Sequence, residues 1–274
     1  MPEGSQTIEV IHPKGEPSSL NQASGELPQG GYTTLRTYGK GNTLHLIDHF
    51  ARLEETARLS GVTIHLDWDR VRSGMRQALA AFPAPEARLR LTVDHTKEPG
   101  RLYISIEPLT IPSAEAYARG VAVTTQSLMR QSPKAKLTGF ISRANEVRRQ
   151  FASDNIEEIL MVAPDNRILE GLTSNFFAYY QDEIWTAKEG VLSGITRSMI
   201  LEECQNEKLR IRLTGFPLGE IPALSEAFIT STSRAVLPVT TINNFRIGAG
   251  LPGPVTLRLL ECYQKRVSLE IRPI

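Results

Sequence analysis

Between residues 32 and 46 apolar and polar positions alternate with period two, as YTTLRTY and then NTLHL across a GKGN turn, the pattern of a β-hairpin. On its first strand Tyr32, Thr34, Arg36 and Tyr38 share one face, because successive strand side chains point to opposite sides. The period then lengthens. In LIDHFARLEETARLSGV, residues Phe50, Leu53, Ala57 and Leu59 fall at helical spacing, with Asp48 placed to cap the start and Gly61 to stop the helix. DWDRVRSGMRQALAAF carries a second helical stripe, closed by the PAP of residues 83–85. LRLTVD and RLYISIEPL form another strand pair around HTKEPG, and residues 111–119 read as a connector.

Beyond the connector, VAVTT predicts a strand and LTGFISRANEVRRQFA a helix. IEEILMVA with NRILEG, and FFAYY with EIWTA, predict two further hairpins. ITRSMILEECQNEKL is a helix announced by VLSG, AFITSTSRAVLPVTTI is strand, turn and strand, and PVTLRLLECYQKRVSL is a terminal helix. Helices and strands mix without regular βαβ alternation, which predicts an α+β protein rather than a doubly wound sheet. Residues 1–30, rich in Gly, Pro, Ser and Gln, read as a weakly structured lead-in.

Composition adds exclusions. The 274 residues are 41% hydrophobic and 22% charged, with a net charge of +1, which makes no electrostatic case for nucleic acid or a membrane surface. No apolar run approaches membrane-spanning length, and the first residues lack the basic start and apolar stretch of a signal peptide, so a cytoplasmic protein is expected. Cys204 and Cys262 are too few for a disulfide framework and read as core thiols. The five histidines have no metal-ligand spacing, so no metal is expected. GAGLPG at 248–253 matches a dinucleotide fingerprint by letters alone. Pro252 and Pro254 favour an extended turn there instead.

ILEGLTSNFF, residues 168–177, is harder to read as plain structure. Taken alone, Glu170 is an acid in a hairpin turn. It is followed by LSGITR and TSTSRAVLPV and preceded by PKAKLTGF. In that order the four stretches resemble the fold-type-IV pyridoxal-phosphate enzymes: branched-chain aminotransferases, D-amino-acid aminotransferases and aminodeoxychorismate lyases. The resemblance runs from about Tyr32 to the C-terminus.

The resemblance implies a residue-by-residue site. Lys136, 34 residues before Glu170, takes the place of the lysine that forms the internal aldimine; Lys134, two residues earlier, is a rival. Glu170 would bond the cofactor's pyridine nitrogen, with Thr173, Ser174 and Asn175 hydrogen-bonding around it. Ile195 and Thr196 would offer backbone N–H groups at a helix start to the phosphate, joined by the Thr232 hydroxyl and by Arg52. On the substrate side Tyr32, Thr34 and Arg36 would form a wall, with Arg36 a carboxylate partner and Ser233 facing the α-carboxylate.

The sequence also departs from the family. Thr33 stands where an acid is usual, Ile141 where branched-chain enzymes carry a tyrosine, and DHTKEPGRLY where a Tyr-x-Arg-Pro or Arg-Gly loop is usual. These departures bear on the substrate more than on the cofactor.

The implied architecture is a two-domain fold-type-IV enzyme. A small N-terminal domain would occupy residues 1–110, a connector 111–118 and a larger barrel-like domain 119–274, with the cofactor between the domains. The implied protein is a homodimer. The implied reaction is transamination between an α-amino acid and a 2-oxo acid through Lys136, of the branched-chain type. A lyase resembling aminodeoxychorismate lyase, and a non-catalytic binding protein on the same fold, remain the alternatives.

Overall fold

A computed structural model describes residues 8–11, 20–151 and 155–274. The chain divides into two compact units. The first comprises residues 1–110, 134–143 and 270–274, and the second residues 111–133 and 144–269. The segment 134–143 and the last five residues, expected in the large domain, therefore group with the first unit.

In the first unit the order is β1 (Ile8–Ile11), α1 (Leu20–Glu26), β2 (Gly30–Tyr38), β3 (Asn42–Thr43), α2 (Leu46–Leu59), α3 (Trp68–Ala80), β4 (Ala87–Asp94) and β5 (Leu102–Pro108). The sheet order is β1-β5-β4-β2-β3, and Arg272–Pro273 adds a final short strand beside β3. β2 and β3 turn through Gly39 and Gly41, whose φ angles of 60° and 92° lie in the left-handed region that glycine tolerates. Leu35 of β2 and Leu89 and Leu91 of β4 are fully buried in one core with Phe50, Leu53 and Met75 of the two helices. The even-numbered positions form the other face, where Thr34 lies opposite Arg90 and Tyr32 opposite Thr92.

Two expectations are corrected here. α2 starts at Leu46 with His45 as its left-handed N-cap, and the Asp48 carboxylate lies 2.7 Å from His45 Nδ1. Asp48 thus sits inside the first turn, where its charge suits the helix dipole, and does not cap it. The lead-in contains structure too: β1 runs parallel to β5, and α1 docks on the sheet. Glu107 Oε2 accepts from Leu20 N at 2.6 Å, while Arg90 donates to Leu20 O at 2.8 Å. Both pieces are too short to show a period in the sequence. Positions 1–7 and 12–19 of the lead-in lie outside the described residues.

The second unit begins with α4 (Ala114–Arg119), capped by the Ser113 hydroxyl, which accepts from Ala116 N at 3.1 Å. The connector thus holds a short helix. β6 (Val121–Ser127), α5 (Gly139–Phe151, which starts in the first unit), β7 (Ile156–Val162), β8 (Arg167–Gly171), β9 (Asn175–Tyr180) and β10 (Glu183–Trp185) follow. After them come α6 (Ile195–Asn206), β11 (Arg210–Arg212), β12 (Phe216–Pro217), a 3₁₀ turn (Leu218–Ala223), β13 (Glu226–Ser231), β14 (Ala235–Ile242), β15 (Phe245–Arg246), α7 (Pro254–Glu270) and β16, the Arg272–Pro273 strand of the first unit. The main sheet runs β11-β10-β9-β13-β14-β6-β7-β8-β12, and β8 also pairs with β9. That extra pairing closes six strands into a barrel, and its one registered pair is Glu170 with Asn175. Val123, Leu160, Phe176, Ile229 and Leu237 are buried in its core. The α+β reading and the barrel-like second half are both seen.

Candidate active site

In the first unit, residues 136–138 lie along the start of β2. Tyr32 N donates to Lys136 O at 2.8 Å, Thr138 N donates to Gly30 O at 2.9 Å, and Gly30 N donates to Thr138 Oγ1 at 3.0 Å. Backbone bonding thereby places the Lys136 side chain over the Tyr32 ring, with Nζ 5.1 Å from its centroid. Lys136 is half-buried, whereas its rival Lys134 is exposed in the preceding turn. The same cluster holds α2. Thr56 Oγ1 accepts from Lys136 N at 3.3 Å, and His49, one turn before Leu53, is buried with Nδ1 2.6 Å from Thr33 Oγ1. Burial, followed by the positive charges of Arg52, Lys136 and His45, holds His49 well below the ordinary histidine range. Burial also pushes Arg52 down to about 10, against the opposing pull of Asp48 and Tyr32.

The expected substrate wall is only partly as read. Tyr32 and Thr34 share a face, but Arg36 donates through NH2 to Glu86 Oε2 at 2.9 Å and lies over Tyr38 at 4.4 Å. Its guanidinium is thereby committed to a side-chain pair. The cation beside Tyr32 and Thr34 is instead Arg90, whose Cζ is 4.9 Å from the Tyr32 centroid. No local signal marked Arg90, which only the strand register brings opposite Thr34.

In the second unit Glu170 is the next-to-last residue of β8, with 1% of its surface exposed. Its Oε1 accepts from Arg130 Nε at 2.7 Å; its Oε2 accepts from Asn175 Nδ2 at 2.9 Å and from Leu192 N at 3.1 Å. Arg130 also donates through NH2 to Leu172 O at 3.1 Å, so one buried guanidinium ties together both sides of the turn. Asn175 Nδ2 donates to Leu192 O at 2.8 Å, joining β9 to the segment that leads into α6. Thr173 and Ser174, expected around a ligand, turn the other way: both hydroxyls donate to Glu158 Oε2, at 2.6 and 3.1 Å.

α6 starts at Ile195 with Gly194 as its N-cap and no side-chain cap hydrogen bond, so its first N–H groups are left to a ligand or solvent. Thr196 and Arg197 in its first turn are buried. Burial lowers Arg197, against the pull of Glu170. Thr232 and Ser233 form the half-buried turn between β13 and β14. The structure thus gathers Lys136, Arg52, Tyr32 and Thr34 in one unit. Glu170, Asn175, Ile195, Thr196, Thr232 and Ser233 belong to the other. Among the described residues no group of three or more His, Cys, Asp or Glu could hold a metal ion, and no helix is long and apolar enough to cross a membrane.

Residues 30–242 match the family of class IV amino-transferases. The chain belongs to the class IV aminotransferases. A D-alanine aminotransferase from Bacillus licheniformis is 26% identical over 252 residues, covering 88% of each chain. A branched-chain-amino-acid aminotransferase from Pseudomonas aeruginosa is 27% identical over 236 residues, 80% of this chain and 77% of that one. Among solved structures, a T.th. branched-chain amino acid aminotransferase with pyridoxamine 5′-phosphate superposes with a TM-score of 0.77. It is 21% identical, and the match covers 90% of this chain and 87% of that one. The fold-type-IV reading is therefore correct.

Class IV aminotransferases use pyridoxal phosphate, and the residues present fit that group. A buried, ion-paired carboxylate at Glu170 suits a protonated ring nitrogen. The uncapped start of α6 suits a phosphate dianion. Thr230, registered opposite Asn175, has a buried Oγ1 with no hydrogen-bond partner, one more polar atom on the Glu170 side of the sheet. Arg130, the residue that fixes Glu170, was missed in the sequence because it lies 40 residues away and belongs to no recognised stretch.

Proposed function

We propose that this aminotransferase moves the amino group between a branched-chain α-amino acid and a 2-oxo acid, with Lys136 as the catalytic base and pyridoxal phosphate as cofactor. The observation that carries the reading is Glu170: a buried carboxylate at the barrel's closing pair, held on both oxygens by Arg130, Asn175 and Leu192 N. Three fixed donors over-determine its position, which suits one planar partner better than mobile water.

When bound, the cofactor supplies an aldehyde for an amine and a ring that accepts the electron pair left at the substrate's Cα. The protein's residues divide the rest of the work. The Lys136 amine, half-buried over Tyr32, would be the group that engages the cofactor's aldehyde and, when free, would carry the proton leaving Cα. Glu170 would accept a hydrogen bond from the ring nitrogen and favour its protonated form. In the second unit the N–H groups of Ile195 and Thr196 and the Thr232 hydroxyl would hold phosphate. Asn175 keeps Glu170 in place. In the first unit Tyr32 and Thr34 would line a wall for a substrate side chain; in the second, Ser233 would offer its N–H to an α-carboxylate. Arg36, paired with Glu86, is not in this set.

The Pseudomonas aeruginosa relative supports branched-chain donors. The Bacillus licheniformis relative, aligned over nearly the full length, supports D-alanine as the second reading. A homodimer and a cytoplasmic location complete the proposal, the first checked by light scattering.

The test is direct. Protein incubated with pyridoxal phosphate should show a visible absorption band that borohydride bleaches and that Lys136→Ala loses. Glutamate should form from 2-oxoglutarate with L-leucine, L-isoleucine or L-valine. Glutamate formation from D-alanine alone would select the second reading. Absence of transfer from any amino acid, D or L, would overturn both.

A further inference from the structure

Two acids on β7 and an arginine in the β13–β14 turn form a cluster that none of the roles above uses. Glu158 is 1% exposed. Its Oε1 accepts from Ile159 N at 3.0 Å and Arg148 NH2 at 3.3 Å. Its Oε2 accepts from Thr173 N at 3.2 Å and from the hydroxyls of Thr173 and Ser174. Arg234 completes the cluster. Its Nε donates to Glu157 Oε1 at 2.7 Å and its NH1 to Thr173 Oγ1 at 3.0 Å, 3.5 Å from Glu158 Oε2.

Arg234 follows Ser233 directly, and its backbone is engaged as well. Its N–H donates to Ser231 Oγ at 3.3 Å, and its carbonyl accepts from Tyr117 OH at 2.8 Å. The next residue, Ala235, has φ of 53°, in the left-handed region that a residue with a Cβ seldom occupies. Such backbone persists only where its surroundings over-determine it. The antiparallel register pairs Thr230, next to last in β13, with Asn175 at the start of β9, so the 172–174 loop and the 232–234 turn leave adjacent strands at the same end.

We propose that Arg234 is a positioning residue: it clasps the Thr232–Ser233 turn to Thr173 and Glu158, holding the turn in the strained form that faces phosphate and substrate carboxylate. The proposal rests on the roles given above to Thr232 and Ser233. Two carboxylates neutralise the guanidinium and Thr173 takes up NH1, so Arg234 acts through the turn and not on the ligand. Burial works to raise the Glu158 carboxyl, and Arg234, Arg148, the Thr173 hydroxyl and the Ile159 N–H outweigh it, holding it below the ordinary carboxylate value. Glu158 therefore stays ionised.

The experiment compares Arg234→Gln, Thr173→Val and their double variant. Pyridoxal phosphate affinity is read on the apoprotein by tryptophan fluorescence quenching, and KM and kcat are read on the loaded enzyme. Arg234→Gln should raise both the cofactor Kd and the KM for the 2-oxo acid by about tenfold, with kcat falling less than about threefold. The double variant should be no worse than Arg234→Gln alone, because both remove the same clasp. Adding Ala235→Gly to Arg234→Gln should recover most of the lost affinity, since glycine takes the strained φ without help. Kd and KM within twofold of wild type in Arg234→Gln would overturn the proposal, as would a loss confined to kcat. If Arg234→Gln does not fold, Thr173→Val carries the test, with a rise of about threefold expected and no change overturning it. If the wild-type protein transfers no amino group, the aminotransferase reading fails, while the quenching measurement still decides the clasp.

Discussion

Arg130 and Glu170, 40 residues apart in the chain, form a buried ion pair with Nε 2.7 Å from Oε1. Both side chains are almost fully enclosed. Removing one charge from such a pair strands the other in a low-dielectric setting, at about 3–5 kcal/mol. Arg130→Met should therefore destabilise the protein by that amount. Glu170→Gln should cost less, because the amide oxygen can still accept. The double variant should be more stable than Arg130→Met alone. Urea unfolding of the four proteins checks this, and additive losses would show that the two side chains are not coupled.

His49 gives the protein an acid-side weakness. Burial and the nearby charges of Arg52, Lys136 and His45 keep it neutral in the folded state, whereas the unfolded chain protonates it near the ordinary 6.5. The folded pKa is depressed, so the unfolded state binds the extra proton and stability falls as pH drops through 6.5. The slope approaches about 1.4 kcal/mol per pH unit below that point, and above about pH 7.5 the effect vanishes. His49→Gln, which can still bond Thr33, should lose this slope between about pH 6.5 and 5.5. Denaturation curves across about pH 5–8 measure it, and an unchanged slope would assign the acid sensitivity to other groups.

What could be read in advance follows from how far each interaction reaches along the chain. The β2 hairpin, α2, α3, α6 and α7 were visible because their periods repeat over several turns or alternations. Glu170 was visible because the acid, the glycine and Asn175 fall within six residues, and the barrel closes on that same stretch. Arg130 and Arg90 were not, since each acquires its role from strand pairing and packing that no window contains. Arg36 is a different case. It shares the strand face of Tyr32 and Thr34, and Glu86, 50 residues on, pairs with its guanidinium. Thr173 and Ser174 were assigned to a ligand on the strength of their neighbours, and the buried Glu158 draws their hydroxyls away. Composition made α1 and β1 look like loose chain, yet Arg90 and Glu107 hold α1 to the sheet at Leu20.

Gly194 should tolerate no side chain. It has ordinary extended backbone at φ −65° and ψ 138°, so conformation alone would admit alanine. A Cβ there would collide with Asn175 Oδ1, whose own amide nitrogen bridges Glu170 and Leu192. Asn175 would have to swing away, breaking one of the two hydrogen bonds that hold Glu170 Oε2. Gly194→Ala should therefore weaken pyridoxal phosphate binding by about tenfold or more and cost about 1–3 kcal/mol of stability. Gly219→Ala, where an added Cβ meets nothing within 4 Å, is the matched control and should leave binding within twofold. Asn175→Ala removes the colliding atom and the bridge together, so adding Gly194→Ala to it should cost no further affinity. A further loss in that double variant would locate the effect at the helix N-terminus and not at Asn175.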